Sequence, residues 1–202
     1  MSNQGSRFEL PAPPFERHSL EPAISRAQID LLYSHYHRRQ LEALNRCLPH
    51  RDPRSLPALA QSDDAAIRQP AAEAWNLVFF WHGLVVRAMP VPEPLLGRVK
   101  RDFGSLGALE ARWRKQIMAA EDAGWSWLVA GRDGILELVT TPAGQSPSAH
   151  VPLLSITLAH EAYRIDFGQN RGAWFEALWP HLNWEYAALH LELGNERTDP
   201  SQ

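Results

Sequence analysis

The chain has 202 residues, of which 45% are hydrophobic, enough for one compact unit or two small fused ones. Its formal net charge of -3 gives no reason to expect binding to nucleic acid or an anionic membrane, and no apolar run approaches the roughly 18 residues of a membrane-spanning helix. Cys47 is the only cysteine, which excludes an internal disulfide. Together with a polar, Pro-rich N-terminus unlike a signal peptide, this predicts a cytoplasmic protein.

The first part of the chain, residues 1–90, predicts a lead-in followed by an antiparallel helical hairpin. Residues 1–19 are Pro-rich and are expected to be extended. Apolar residues at helical spacing between Ile29 and Cys47 predict the first helix. The second helix is expected from Asp63 to about Leu84, with a kink or an interruption at Pro70.

Residues 91–194 predict a mixed helical and stranded unit. Two helices are expected near 94–103 and 106–121, because a glycine-containing break separates two helical patterns. Strands are expected at 125–129, 135–140 and 153–158, the first two joined by a turn at residues 132–134. The C-terminal part is predicted to be helical from residues 161–167 to residues 183–192, and residues 195–202 are predicted to be a disordered tail.

Several motifs follow one another along the chain in an order that belongs to a known family. They are Phe8–Pro11, Leu20–Pro22 with Ile24-Ser25, Ala71–Asn76 with Phe80-Trp81, Phe103–Ser105, Gly124–Leu128, Pro152–Phe167 and Leu182–Tyr186. This series resembles the iron/manganese superoxide dismutases over nearly the whole chain. The resemblance implies an α+β fold, in which an N-terminal antiparallel helical hairpin precedes a C-terminal α/β half with a three-stranded antiparallel sheet.

The metal ligands of this family are not repeated in the chain. The family binds its metal through three histidines and one aspartate, and the corresponding places hold Leu32, Leu77, Thr157 and Glu161. Leucine has no lone pair to donate to iron or manganese. We therefore expect no metal site, no cofactor and no ordinary dismutase catalysis, with the two leucines filling the core.

Residues that resemble the family's surroundings of the metal are changed as well. Glu73 takes the place of a glutamine, Tyr36 of a histidine and Gln40 of a tyrosine. The resemblance thus predicts a vestigial pocket formed by Tyr36, Gln40, Glu73, Trp125 and Trp127. Two carboxylates near one cavity could do acid–base chemistry, although hydrogen-bonded structural carboxylates are the more common case.

The pair His160-Glu161 has the reverse order of the family's Glu-His pair, which bridges the dimer. One hypothesis is that Glu161 meets His160 of a second subunit, and the competing one is that both positions have drifted. Arg164 replaces a tyrosine near the same face, which suggests an altered choice of partner. These three residues are the predicted dimer interface, for a homodimer or for a heterodimer with a family relative.

Three functions remain open from the sequence. The first is a non-catalytic family member that acts as a binding or structural partner. The second is an enzyme, either a dismutase with a remodelled metal site or a different chemistry, using Glu73, Glu161 and nearby histidines. His35, His37 and His82 would each need a different alignment shift to serve as ligands, so we interpret them as polar or interface residues. The third is a scaffold recruited to a larger complex.

Overall fold

A computed structural model describes residues 8–49 and 52–198, and for residues 195–198 it describes the backbone alone. The first seven residues of the predicted lead-in therefore lie outside the described part. The chain between them and the first helix follows turns and irregular backbone rather than helix or strand.

The first long helical run spans residues 26–47 and is not α-helical throughout. It begins with α1 (Arg26–Asp30), continues as a π-helical segment (Leu31–His37) and ends with α2 (Arg38–Cys47). Ser25 caps its start, because its hydroxyl accepts a hydrogen bond from the backbone N–H of Gln28 at 3.1 Å. The helix therefore starts three residues before the predicted Ile29. The π-helical segment was not predicted from the sequence.

A short helix, α3 (Leu56–Leu59), precedes the second long helix, α4 (Ala65–His82). Asp64 caps α4 by accepting a hydrogen bond from the N–H of Ala66 at 2.9 Å. The helix continues through Pro70, so the predicted interruption of the helix does not occur there. Pro70 lies in the second turn and removes one backbone hydrogen bond, while the residues around it pack into a small apolar cluster with Leu44 of α2.

The second half begins with α5 (Glu93–Phe103) and α6 (Leu106–Ala119), close to the predicted ranges. Between them Gly104 has a φ of 90°, which favours glycine, and Ser105 caps α6 through the N–H of Ala108 at 3.0 Å. A local glycine and a capping serine thus fix the break that the sequence indicated.

One antiparallel sheet of three strands follows, in the order β2-β1-β3. The strands are β1 (Trp125–Ala130), β2 (Leu136–Thr141) and β3 (Val151–Thr157). The central strand β1 is buried along its whole length, which explains its apolar sequence. Trp125 pairs with Thr141 on one side and with Thr157 on the other.

The chain then turns through a 3₁₀ segment (His160–Ala162) into α7 (Arg164–Phe167), α8 (Arg171–Leu178), a second 3₁₀ segment (Trp179–His181) and α9 (Trp184–Thr198). The last helix takes in the first four residues of the predicted tail, and residues 199–202 lie outside the described part. Among the described residues, no helix is long and apolar enough to cross a membrane.

The order of the elements confirms the predicted α+β fold class. A large apolar core joins both halves and includes side chains from the first helical run, α4, the sheet and the C-terminal helices. Five tryptophans are among its largest fully buried side chains: Trp81, Trp113, Trp125, Trp127 and Trp174. Their burial agrees with the interpretation of the tryptophans as core aromatics.

Candidate functional site

The two leucines at positions that the resemblance matches to the family's metal ligands lie inside the apolar core. Leu32 is on the π-helical segment and is 1% exposed, and Leu77 is on α4 and is 0% exposed. Both belong to the main core cluster. The π-helical segment contacts α4 as well as the 3₁₀ segment that carries Glu161. Leu32 and Leu77 therefore contribute packed hydrocarbon to the region where the first helical run, α4 and the C-terminal half meet.

Thr157 and Glu161 occupy different environments. Thr157 is buried at the end of β3, and its hydroxyl accepts a hydrogen bond from the N–H of Ala159 at 3.3 Å. Glu161 is partly exposed, and its carboxylate forms an ion pair with Arg39 of α2 at 2.9 Å. The Arg39 guanidinium also lies 5.2 Å from the ring centre of Tyr36. The carboxylate at position 161 thus already has a cation as its partner.

Glu73 is the most buried carboxylate near these positions, with 3% exposure. Its Oε1 accepts a hydrogen bond from the hydroxyl of Tyr36 at 2.8 Å. Its Oε2 accepts hydrogen bonds from the indole N–H of Trp125 at 2.9 Å and from the backbone N–H of Gly144 at 2.6 Å. Three donors from three parts of the chain therefore meet on one side chain.

Burial raises the pKa of Glu73, because the charged form loses its hydration. The hydrogen bonds from Trp125, Gly144 and Tyr36 favour the charged form and oppose this shift, while the negative charge of Glu161 adds to it. Burial and the neighbouring Glu73 also raise the pKa of Tyr36 well above its ordinary value. The Tyr36 hydroxyl therefore stays protonated at neutral pH and donates a hydrogen bond to Glu73.

The residues of the predicted vestigial pocket are only partly brought together. Tyr36, Gln40 and Glu73 line one cavity of about 380 Å³ between α2 and α4. Trp125 reaches Glu73 through its indole N–H. Trp127 does not line this cavity, and its indole N–H donates instead to the Thr141 hydroxyl at 3.0 Å. Trp125 and Trp127 are two residues apart on β1, so their side chains lie on the same face of the sheet, with ring centres 5.5 Å apart.

The three histidines considered as replacement ligands are not similar to one another. His35 and His82 are exposed, in keeping with their interpretation as polar or interface residues. His37 is 0% exposed, so that interpretation is wrong for this residue. Five residues after Leu32, it points into the seam between the two long helices, because the π-helical segment changes which residues share a helix face.

His37 is held in its neutral form by its surroundings. The indole N–H of Trp81 donates to Nδ1 at 3.3 Å, which assigns the proton of the neutral ring to Nε2. Nε2 is buried without a hydrogen-bond partner of good geometry in the described part of the chain, although the Ala74 carbonyl is close enough to favour the charged form slightly. Burial dominates and lowers the pKa of His37 to about 4.

The predicted interface residues lie on the surface around the first 3₁₀ segment. His160 and Arg164 are exposed, and His160 makes an edge contact with Tyr163. Next to them Ile165 is 52% exposed, which is unusual for an isoleucine. These positions are compatible with a contact surface, and they stay a prediction.

The chain forms a helical hairpin and then a three-stranded antiparallel sheet with flanking helices, and one core joins the two halves. This is the architecture of the iron/manganese superoxide dismutase class. Comparison with known proteins supports the same class. The family model described as "Iron/manganese superoxide dismutases, alpha-hairpin domain" matches residues 7–85. The model described as "Iron/manganese superoxide dismutases, C-terminal domain" matches residues 92–190.

Similar proteins agree over nearly the whole length. A protein named "Superoxide dismutase [Fe]" from Escherichia coli (strain K12) is 30% identical over 189 residues, which cover 91% of this chain and 98% of that protein. The protein of the same name from Legionella pneumophila is 27% identical over 190 residues, covering 92% and 99%. The chain therefore belongs to the iron/manganese superoxide dismutase family.

These relatives carry iron in their names, and this contradicts our expectation that no cofactor is involved. That expectation depended on four positions, whereas the similarity to iron-named proteins extends over nine-tenths of the chain. Iron or manganese is thus the cofactor to which the family points.

The donors at the four positions nevertheless do not fit such an ion. Leu32 and Leu77 supply no lone pair, Glu161 is paired with Arg39, and the Thr157 hydroxyl accepts a local hydrogen bond. No group of three or more His, Cys, Asp or Glu side chains within residues 8–49 and 52–194 is arranged to hold a metal ion. We therefore derive no catalytic step through these positions.

Proposed function

We propose that this member of the family has lost dismutase activity at the family's ligand positions, as a pseudoenzyme, and acts as a binding or structural partner. The observation that carries the proposal is the burial of Leu32 and Leu77 in the apolar core. Superoxide disproportionation needs a metal that cycles by one electron, and such a metal is held by imidazole and carboxylate donors. Two of the four places provide hydrocarbon, which neither binds an ion nor positions a substrate.

The two carboxylates of the alternative enzyme are already engaged. Glu73 accepts three hydrogen bonds, and Glu161 forms an ion pair with Arg39. Carboxylates held by protein partners in this way are more often structural than catalytic. The contacts of both residues support a structural role, and this is why we prefer the non-catalytic function.

The partner function is assigned to the face around His160, Glu161 and Arg164. We propose a homodimer, or a heterodimer with a family relative, in the cytoplasm. Exposed Ile165 supports an apolar contact beside these polar residues. The division of the chain at residue 90, into a hairpin unit (1–90) and an α/β unit (91–194), belongs to the same proposal, and the two matched ranges support it.

The experiment that tests this function is a dismutase assay on protein reconstituted separately with iron and with manganese, with the bound metal measured on the same sample. We expect a rate no higher than that of the same metal salt with heat-unfolded protein. A rate that scales with protein concentration and with bound metal would contradict the proposal.

A restored variant serves as the matched control for this assay. It carries Leu32→His, Leu77→His, Thr157→Asp and Glu161→His, which place the family's donor types at the four positions. The iron-named Escherichia coli relative is the positive control. Metal-dependent activity of the restored variant alone would assign the loss to these four positions.

A further inference from the structure

The cavity between α2 and α4 has features that the proposed partner function does not use. Its volume is about 380 Å³, within the size range of pockets for small organic molecules. It is open to solvent, and the buried residues Tyr36 and Glu73 form its inner wall. Its remaining walls are formed by Gln40, Ala43, Arg46, Cys47, Ala65, Ala66, Gln69, Pro70, Ala143 and Gly144.

The inner wall of the cavity presents hydrogen-bond acceptors. The proton of the Tyr36 hydroxyl is used in the hydrogen bond to Glu73, so its oxygen is left with lone pairs. Oε2 of Glu73 accepts two N–H groups, and Oε1 accepts one donor with capacity for another. A molecule that enters this end is therefore recognised by a group that donates, such as an ammonium or a hydroxyl.

The outer part of the cavity presents donors. Arg46 is exposed, and its guanidinium makes no ion pair or hydrogen bond with another residue in the described part of the chain. The side-chain amides of Gln40 and Gln69 also line the cavity, and the side chains described in residues 8–49 and 52–194 offer them no hydrogen-bond partner. A guanidinium without a protein partner favours a carboxylate, which it can bind through two parallel hydrogen bonds.

The spacing of the two ends limits the size of the ligand. Tyr36 and Arg46 are ten residues apart, and at the helical rise this is about 15 Å between their Cα atoms. Both residues line the cavity, and a long side chain on a helix leans towards the N-terminus, so Arg46 is expected to lean back towards Tyr36. The remaining space then suits a short carbon chain. The small side chains of Ala43, Ala65 and Ala66 leave this part of the cavity open.

We propose that this cavity binds a small carboxylic acid that carries an ammonium or a hydroxyl group at its other end. The donor group lies against Tyr36 and Glu73, and the carboxylate lies against Arg46. This ligand site is independent of the face around His160, so the dismutase and dimer experiments do not decide it.

Isothermal titration calorimetry with four matched four-carbon probes tests the proposal. 4-Aminobutyrate and 4-hydroxybutyrate carry both groups, butyrate lacks the donor and butylamine lacks the carboxylate. We expect at least one of the first two probes to bind with a Kd in the micromolar to millimolar range, and at least tenfold more tightly than butyrate and butylamine. Absence of binding by both complete probes, or equal binding by butyrate, overturns the proposal.

A pair of arginine variants locates the binding. Arg46→Gln removes the cation and is expected to weaken binding of the complete probe at least tenfold. Arg87→Gln, at an exposed arginine that does not line the cavity, is the matched control and should bind as the unaltered protein does. Equal affinities of the two variants would show that the probe binds elsewhere.

Cys47 provides a second measurement without any substitution. It is the only cysteine, its thiol is on an exposed residue, and it lines the cavity. We expect a saturating complete probe to slow alkylation of Cys47 by iodoacetamide several-fold, whereas butylamine should leave the rate unchanged. An alkylation rate that does not depend on the complete probe would contradict binding in this cavity.

Discussion

Glu73 and His37 are two buried titratable residues. Their contributions to the stability of the folded protein change with pH in opposite directions. Glu73 prefers its protonated form more strongly in the folded state than in the unfolded state, because burial raises its pKa. His37 prefers its neutral form, because burial lowers its pKa to about 4. Folding therefore favours the uncharged form of each residue. Glu73 becomes charged as pH rises, whereas His37 becomes charged as pH falls.

Glu73→Gln is expected to leave the protein as stable as before at neutral pH, or more stable. The glutamine oxygen can accept from Trp125 and Gly144, its amide can donate to the Tyr36 oxygen, and no charge is buried. A carboxyl with a raised folded pKa contributes stability below its ordinary value of 4.5 and loses it as pH rises through the folded pKa. Urea unfolding of both proteins between pH 4 and neutrality measures the difference.

The difference in unfolding free energy between Glu73→Gln and the unaltered protein should therefore grow in favour of the variant as pH rises. Glu73→Leu is the matched control, because it leaves three buried donors without an acceptor. Each unpaired donor costs about 1–3 kcal/mol. A pH-independent difference, or a harmless Glu73→Leu, would contradict the described network.

His37→Gln is expected to remove a loss of stability at acidic pH. With an ordinary pKa of 6.5 and a folded pKa of about 4, the unfolded chain binds the proton first. The contribution of neutral His37 is thus present above pH 6.5 and is lost as pH falls towards 4, by about 3 kcal/mol in total. Glutamine does not titrate and retains an acceptor for Trp81. His35→Gln, at an exposed histidine, should retain the acid loss.

At the scale of elements, the contact between the helical hairpin and the C-terminal half depends on packing more than on charge. The Arg39–Glu161 ion pair joins α2 to the 3₁₀ segment, but the Arg39 side chain is more than half exposed. Exposed pairs contribute about 0–1 kcal/mol. A fully buried leucine contributes about 1.5–3 kcal/mol through removal of apolar surface from water. Leu32 and Leu77 are therefore the stronger connection.

Leu32→Ala and Leu77→Ala are each expected to lower the unfolding free energy by about 2–5 kcal/mol, because truncation leaves a cavity in a packed core. Leu189 of α9 is 51% exposed and provides the matched control. Leu189→Ala should change the unfolding free energy by less than about 0.5 kcal/mol. Urea titration followed by tryptophan fluorescence measures all three, and equal effects of Leu77→Ala and Leu189→Ala would contradict the core role of Leu77.

Local sequence signals predicted most elements well. The capping Ser105 and the glycine before it delimited α5 and α6, and the turn at residues 132–134 delimited β1 and β2. The π-helical segment was missed, because its seven residues keep an ordinary helical pattern of apolar side chains. At Pro70 a local rule suggested an interruption, and packing of α4 against α2 kept the helix continuous.

For the whole molecule, hydrogen bonds across the two halves reinforce the common core. The side-chain amide of Gln28 donates a hydrogen bond to the backbone carbonyl of Glu161 at 2.6 Å. Its oxygen accepts a hydrogen bond from the backbone N–H of Ile165 at 2.7 Å. Leu84 forms an isolated β-bridge with Leu182. Gln28 of the helical hairpin thus fixes the position of residues 161–165, which carry the proposed contact face. A partner would bind to a surface that is already ordered.

Ile165→Asp is expected to weaken self-association through this face at least tenfold, because it places a charge in an apolar contact. Leu189→Asp, at a similarly exposed leucine on α9, is the matched control and should associate as the unaltered protein does. Sedimentation equilibrium over a range of concentrations gives both dissociation constants. A monomer at all concentrations, or a dimer unaffected by Ile165→Asp, would contradict the proposed homodimer face.

By itself the sequence determined the family, the order of the elements and the presence of leucine at residues 32 and 77, since motifs and residue types are properties of the chain. Tertiary structure alone decided that Glu73 meets Trp125 and Gly144, that His37 is buried, and that a cavity separates Arg46 from the inner wall. The donors on Glu73 come from 37, 52 and 71 residues away. Burial and partnership over such separations arise only from packing, and they set the charge state of each buried group.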